Sequence, residues 1–568
     1  MKKYLLIILA TASLSACTDW INEALDIDPA DRYSVATVWS SETSADQYLL
    51  GLYSIIKENN GTVGGDSNQA TYWDAYSDII KSNSWNQYNH PYNSAFLQGT
   101  FPKTNAGVFE CWSDSYTRIR RCNEFLRDAP VYGPGISEDY AVTRSAEMRC
   151  IRAFIYFRLM KIYGKCVIRD AVDGPEQNDK ALATTDQVWD FIESDLRYAG
   201  NNIRKSQPRG RITRAFAWGL LSSAALYAER WDVAIEAADS CEKYGGALDP
   251  SYANIFADIN SPEHLLTFEF VQNKLTHRGD VFFRPLGDCA DSVVSITGDW
   301  IKGKHPGANI YAVFGPTNEL VDSYEMADGT PFDTLSFETP GVDPYAGREP
   351  RFYASILYNG AEWEGRRIET FVSADTSVFK DGLDKIVEFN TSGAAGSTVT
   401  GYYLKKFITE NQTGWEKYGS DHFAIVMRFA EVVLNKAEAY AQKGDFVNAY
   451  IQLNRVRGRV LLPDKSGSDI DTAMADIKHE RLVELAGEGQ RFWDLRRWKD
   501  AVDVINEKNF HGRWITKKTD GTLQYKKVSC DGKGLTHTFE ECYYAFSLPL
   551  EEINNNNAIS PSDNNPGW

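Results

Sequence analysis

The chain has 568 residues, 43% hydrophobic and 13% aromatic, which is ample for a large core. A formal net charge of −18 argues against a nucleic-acid binder, because phosphate recognition needs a basic footprint. Nine cysteines are few for a chain of this length, and none shows zinc-ligand spacing.

Lys2 and Lys3 precede an apolar run over 4–12 that is too short to span a bilayer as a helix. With small residues before Cys17, residues 1–16 read as a secretory signal peptide. Leu14-Ser15-Ala16-Cys17 is similar to a bacterial lipobox, which implies cleavage before Cys17 and acylation of its thiol. At about 0.8 kcal/mol per buried methylene, several acyl chains would hold the protein firmly on a membrane. Residues 17–43 form a polar lead-in, and 44–57 predict a helix with Tyr48, Leu52, Ile55 and Ile56 on one face.

Between 72 and 101 the composition changes. Tyr72, Trp73, Tyr76, Trp85, Tyr88, Tyr92, Phe96 and Phe101 are interleaved with Asn83, Asn86, Gln87, Asn89 and Asn93. Flat rings beside neutral amides suit sugars, whose C–H faces stack while their hydroxyls need donors and acceptors. Burying about 100 Å² on one indole contributes roughly 2.5 kcal/mol. Trp73, Tyr76 and Ile80 are assigned instead to a helical core stripe. The stretch 85–92 has no helical period and ends in His90-Pro91, so it is a candidate ligand loop.

Helices are predicted at 107–127, 143–163 and 185–197, and a helical hairpin at 215–244. Cys111 and Cys122, if on one helix, would lie about 16 Å apart, beyond disulfide reach. Residues 255–420 are irregular, with β-type runs at 264–271, 352–358 and 401–407. Trp300, Tyr311, Phe314 and Trp363 sit there in loop-like surroundings, and Trp300 and Tyr311 are further candidates for ligand contact.

Over 423–498 the pattern is strongest. Ile425, Phe429, Val432, Val433, Ala437 and Tyr440 share one helical stripe. After Lys443-Gly444-Asp445, Ala449, Leu453, Val456 and Val460 share another. This is a helical hairpin of the tetratricopeptide kind, which needs stacked neighbours to bury its face. A third helical pattern from Glu480 to Trp498 spaces Glu480 and Glu484 by four among several arginines, the signature of a structural ion-paired seam. Cys530 and Cys542 flank a Gly-rich turn at a spacing that a hairpin disulfide would suit.

The eight histidines never occur four apart, and neither a P-loop, a dinucleotide fingerprint nor a Gly-x-Ser-x-Gly elbow is present. No cofactor is expected; a structural calcium ion held by scattered oxygens would leave no such motif.

The run Arg428-Phe429-Ala430-Glu431 to Ala439, then Asn454-Arg455-Val456-Arg457, then Glu480-Arg481 to Trp498, resembles the SusD/RagB outer-membrane nutrient-binding lipoproteins. So do Glu147 to Leu159 and the tail from Pro549-Leu550-Glu551-Glu552-Ile553 to Trp568, so the resemblance spans the chain from about Cys17. It implies a mainly α, SusD-like fold of tetratricopeptide-type hairpins carrying a large irregular α+β insert. The expected division is 17–43 lipidated lead-in, 44–254 helical repeats, 255–420 capping insert and 421–568 C-terminal hairpin and signature region. It further implies surface capture of a glycan at the outer membrane for a SusC-like TonB-dependent transporter, with ligand contacts from Asp78, Trp85, Tyr88, Asn89, Tyr92, Trp300 and Tyr311. Two alternatives stand beside it: peptide capture, and a surface glycoside hydrolase with two carboxylates across a cleft.

Overall fold

Helix α1 (Glu42–Leu52) starts at Ser41, whose hydroxyl accepts the Ser44 N–H at 3.2 Å. The computed structural model describes residues 38–59, 73–82, 101–129, 135–277, 279–388, 396–531 and 536–568; Cys17, Trp85, Tyr88, Asn89 and Tyr92 lie outside them. After α1 come α2 (Trp112–Asp128), α3 (Glu138–Tyr163), α4 (Thr185–Asn202) and the hairpin α5 (Arg214–Tyr227) with α6 (Trp231–Lys243). Helix α3 buries residues all round its circumference, so it is an interior rod rather than a surface helix. Helix α5 lies close to α4 because its Trp218 indole packs on Gly200, where a Cβ would stand 2.4 Å from the indole nitrogen.

The second hairpin is α7 (Phe429–Gln442) and α8 (Phe446–Arg459), packed on α6 and α5. Gly444 turns the chain at φ +77°, and the Asp445 carboxylate accepts the Asn448 N–H to start α8. Helices α9 (Ile470–Glu484) and α10 (Arg491–Trp498) follow. The stripe expected to begin at Ile425 does not. Ala424–Arg428 is a strand, paired antiparallel with His264–Phe268, and the helix starts only at Phe429. The third helical pattern also breaks after Glu484, where Gly487 and Gly489 take positive φ and end the ladder.

The chain also makes small sheets, mostly from the segment between the two hairpins. The strands, in order, are β1 (Ile80–Ser82), β2 (His264–Phe268), β3 (Ser292–Val294), β4 (Trp300–Lys302), β5 (Phe314–Pro316), β6 (Ile356–Leu357), β7 (Glu362–Trp363), β8 (Arg366–Arg367), β9 (Val372–Ser373), β10 (Tyr403–Leu404), β11 (Ala424–Arg428), β12 (His511–Lys517) and β13 (Leu523–Ser529). All pair in twos except β13-β12-β9. The run expected as strand over 352–358 is mostly the helix Pro350–Ser355, since Pro350 opens a first helical turn without losing a bond. Tyr76 is buried as expected, but in a turn rather than a helix, and Ile80 is on β1. Cys530 and Cys542 are both free thiols, so the hairpin disulfide does not form. No helix among the described residues is long and apolar enough to cross a membrane.

Two large apolar cores, beside two small clusters, form among the described residues. One fills the helical array, with Phe109 stacked on Phe492 at 5.4 Å and on Phe546 at 4.7 Å. The other, around Phe283, Phe352, Trp363 and Tyr402, reaches the end of α9 through Val483 and Ala486. Ion pairs join the two. Glu484 takes Arg428 at 2.7 Å, Arg351 at 3.0 Å and Arg459, while Glu480 takes Arg457 at 3.0 Å and Arg351. Burial alone would push the Glu484 carboxyl up; Arg459, Arg428 and Arg351 overcome it and hold it far below the carboxylate range. The arginine-acid seam is therefore structural. A further tie closes the chain on itself: Asp74 accepts the backbone N–H groups of Gly489 at 2.9 Å and Arg491 at 3.0 Å.

Candidate functional site

Strands β3 and β4 form a hairpin in the register Val294↔Trp300. Gly298, at φ +91°, lets the turn close, with Ser295 N–H donating to Asp299 O at 2.8 Å. The tip is tightened by side chains: Asp299 N–H donates to Ser295 Oγ at 3.1 Å and Thr297 Oγ1 donates to Asp299 Oδ2 at 3.0 Å. A rigid tip costs little to order on binding. It carries Trp300, which is 74% exposed, with Ile296 and Val294 exposed beside it and Ile301 just so.

The hairpin stands on an ion-paired base. Its tip is bonded to the β7–β8 turn, Ile296 N–H to Gly365 O at 3.2 Å. Beneath, Arg366 joins Asp288 at 2.7 Å and Asp384 at 2.6 Å, and Arg284 joins Asp280 at 2.7 Å and Glu364 at 3.0 Å. Trp363 is sealed into this base, donating its indole N–H to Asp288 at 3.0 Å. Of the aromatics expected in loops, Trp363 and Phe314 are thus core, while Trp300 is displayed.

Tyr311 is half-buried. Its hydroxyl accepts from Asn309 Nδ2 at 2.7 Å and its backbone N–H donates to Val281 O at 2.8 Å. It lies three residues before β5, whose Phe314 pairs with Ser82 of β1. Ser82 is the last described residue before 83–100, so the described chain leading toward the aromatic-amide stretch ends beside the strand that follows Tyr311. Asp78 is differently occupied. Its two oxygens accept from Arg491 Nε and Nη2, both at 2.9 Å, and its carbonyl accepts the Thr317 hydroxyl at 2.6 Å. That carboxylate docks the β1 turn onto α10.

Sequence reading missed Val294, Ile296 and Ile301. The signal was available: Thr297-Gly298-Asp299 between two short β-type runs is a hairpin turn, and it puts all four apolar residues on one projection. Among the described residues no group of three or more His, Cys, Asp or Glu side chains is placed to hold a metal ion. Rings, amides and a firm base suit stacking recognition of a neutral ligand.

Residues 262–568 match the SusD family, and residues 20–226 match a family described as starch-binding and associating with the outer membrane. A SusD-like protein of Bacteroides ovatus is 25% identical over 98% of this chain and 93% of its own length. The crystal structure of a SusD-like protein from Bacteroides fragilis superposes with a TM-score of 0.75 at 26% identity, covering 95% of this chain and all of that one. Another from the same organism, described as a SusD-like carbohydrate-binding protein, gives 0.71 at 21% identity over 92% of this chain and all of its own.

Proposed function

Because the chain belongs to the SusD family, we propose that it is a lipid-anchored glycan-binding protein of the cell surface, held by Cys17, which captures an oligosaccharide and passes it to a SusC-like TonB-dependent transporter. Trp300 carries the reading. An indole exposed on a turn that its own side chains lock, over an ion-paired base, costs solvation unless something covers it. A sugar face is flat, apolar on its C–H side and about the size of an indole. Tyr311 with Asn309 supplies a ring and an amide of the kind that pairs with hydroxyls, and Trp85, Tyr88, Asn89 and Tyr92 belong to the same surface in this reading. The carbohydrate-binding neighbour from Bacteroides fragilis supports the ligand class. The transporter and the anchor rest on the family resemblance and the Cys17 motif.

Such a protein binds without breaking a bond. The test is retention on a panel of immobilised glycans, with Trp300→Ala and Trp85→Ala as paired variants. Wild-type retention on at least one glycan, lost in both variants, is the expected result. Retention unchanged by either substitution would remove the site, and sugar released on prolonged incubation would replace binding with hydrolysis. A Cys17→Ala protein still attached to membranes would remove the anchor.

A further inference from the structure

Among α3, α5, α7 and α10 the helical array keeps a cavity of about 100 Å³. One water needs roughly 10–15 Å³ by the same measure, so the space suits a molecule of several heavy atoms and excludes an oligosaccharide. Its walls include Trp73, Tyr227 and Trp493, and its charged rim is Arg158 and Lys161, half-buried and one turn apart on α3.

Those two cations are unlike every other charge around the cavity. Arg481 is paired with Asp494 at 2.8 Å, Arg497 with Asp494 at 2.9 Å and with Glu438, and Glu488 with Arg428 at 2.6 Å and Lys406 at 2.7 Å. Glu431 has its oxygens taken by the Ser223 hydroxyl at 2.8 Å and the Gln490 amide at 3.3 Å. Among the described residues neither Arg158 nor the Lys161 ammonium has a hydrogen-bonding or ion-pair partner. Lys161 Nζ instead lies 4.3 Å from the Trp493 ring centroid, 5.4 Å from Phe157 and 5.8 Å from Tyr227. Next to it, among the described residues, Arg496 donates only to the carbonyls of Lys161, Tyr543 and Tyr544. The cavity thus combines apolar rings with two cations that no wall carboxylate pairs with directly; Glu431 and Asp494 act on Lys161 only through space, which leaves part-buried positive charge in excess.

We propose that this cavity is a second site, distinct from the Trp300 surface, which binds a small organic monocarboxylate: its oxygens lie between Lys161 and Arg158 and its apolar body against Trp73 and Trp493. The inference does not rest on the glycan reading. Burial brings the Lys161 ammonium down to about 7; Glu431 and Asp494 oppose this, while Arg496 and Arg158 add to it. A carboxylate therefore binds best below that value, with the ammonium charged, and is released as the pH rises through it.

The test is calorimetric titration of the purified protein with benzoate, with benzyl alcohol as the neutral match in size, at about pH 6 and about pH 8.5. Expected are benzoate binding at the lower pH, an affinity at least roughly tenfold weaker at the higher, and at least roughly tenfold weaker binding of the alcohol. Lys161→Met and Arg158→Gln should each lose benzoate, with Tm reported alongside so that a folding failure of one leaves the other to decide. Lys161→Arg should keep benzoate and lose the pH dependence, since a guanidinium does not titrate there. Equal affinity for the alcohol, absence of benzoate binding, or benzoate affinity unchanged in Arg158→Gln would each overturn the proposal.

Discussion

The arginine-acid seam beneath α9 and the β3–β4 hairpin put expensive side chains to opposite uses. In the seam, Arg351 and Glu484 are wholly buried and each meets several partners of opposite sign. On the hairpin, Trp300 stands in water with its apolar neighbours Val294 and Ile296. The contrast separates side chains that hold the fold from side chains displayed to solvent. The seam's charges are consumed in fixing the insert to the helices, and what the hairpin offers outward is ring and aliphatic surface.

The sharpest way to break that contrast is to unbalance the seam. Glu484→Ala leaves Arg351, Arg428 and Arg459 buried without their shared acceptor, an expected loss of about 3–5 kcal/mol, read as a fall in the denaturant midpoint. The second prediction separates the two regions by pH. His422 lies under the insert, its ring pushed down to about 4, chiefly by burial. Because the unfolded ring takes up a proton near 6.5 and the folded one does not, stability is full above that value and is lost as the pH falls toward 4. The loss is on the order of 3 kcal/mol, and His422→Leu should flatten that limb of the Tm-versus-pH curve.

Trp300→Ala comes next. It should leave Tm unchanged and weaken glycan binding by roughly 2 kcal/mol, about thirtyfold, measured by calorimetry on whichever glycan the wild type retains. A drop in Tm instead would move Trp300 to the side of Trp363. The smallest effect is expected for Tyr311→Phe, which deletes the contact with Asn309 and keeps the ring. Affinity should weaken by about 0.5–1 kcal/mol with no change in stability, and an Asn309→Ala, Tyr311→Phe double variant should add little to either alone.

Much of the helical array could be read from the chain. Phe429, Val432, Val433 and Ala437 show their shared face by spacing alone, and the Gly444 turn is a local signal. Ile425 was misplaced because its true partner, Thr267 on β2, is far away in sequence, and a β-branched residue fits either period. Trp300 is a ligand candidate in the sequence and Trp363 is not, yet nothing local to Trp363 shows that it is core. Both follow an acid in short, polar-flanked runs, and the difference lies in Asp288, which gives the Trp363 indole a buried acceptor. Asp78 shows the same limit: nothing near it announces Arg491, which fills both its oxygens.

The tie from Asp74 to Gly489 and Arg491 also sets an order of assembly. The turn carrying Trp73 cannot be clasped until more than four hundred further residues have been delivered, so the first helices must wait, with one apolar wall open, for the last ones to arrive. A chain shortened before Gly489 would have every helix through α9 in its sequence and still lack the hand that closes them, which marks nascent and truncated forms as the species most in need of a chaperone.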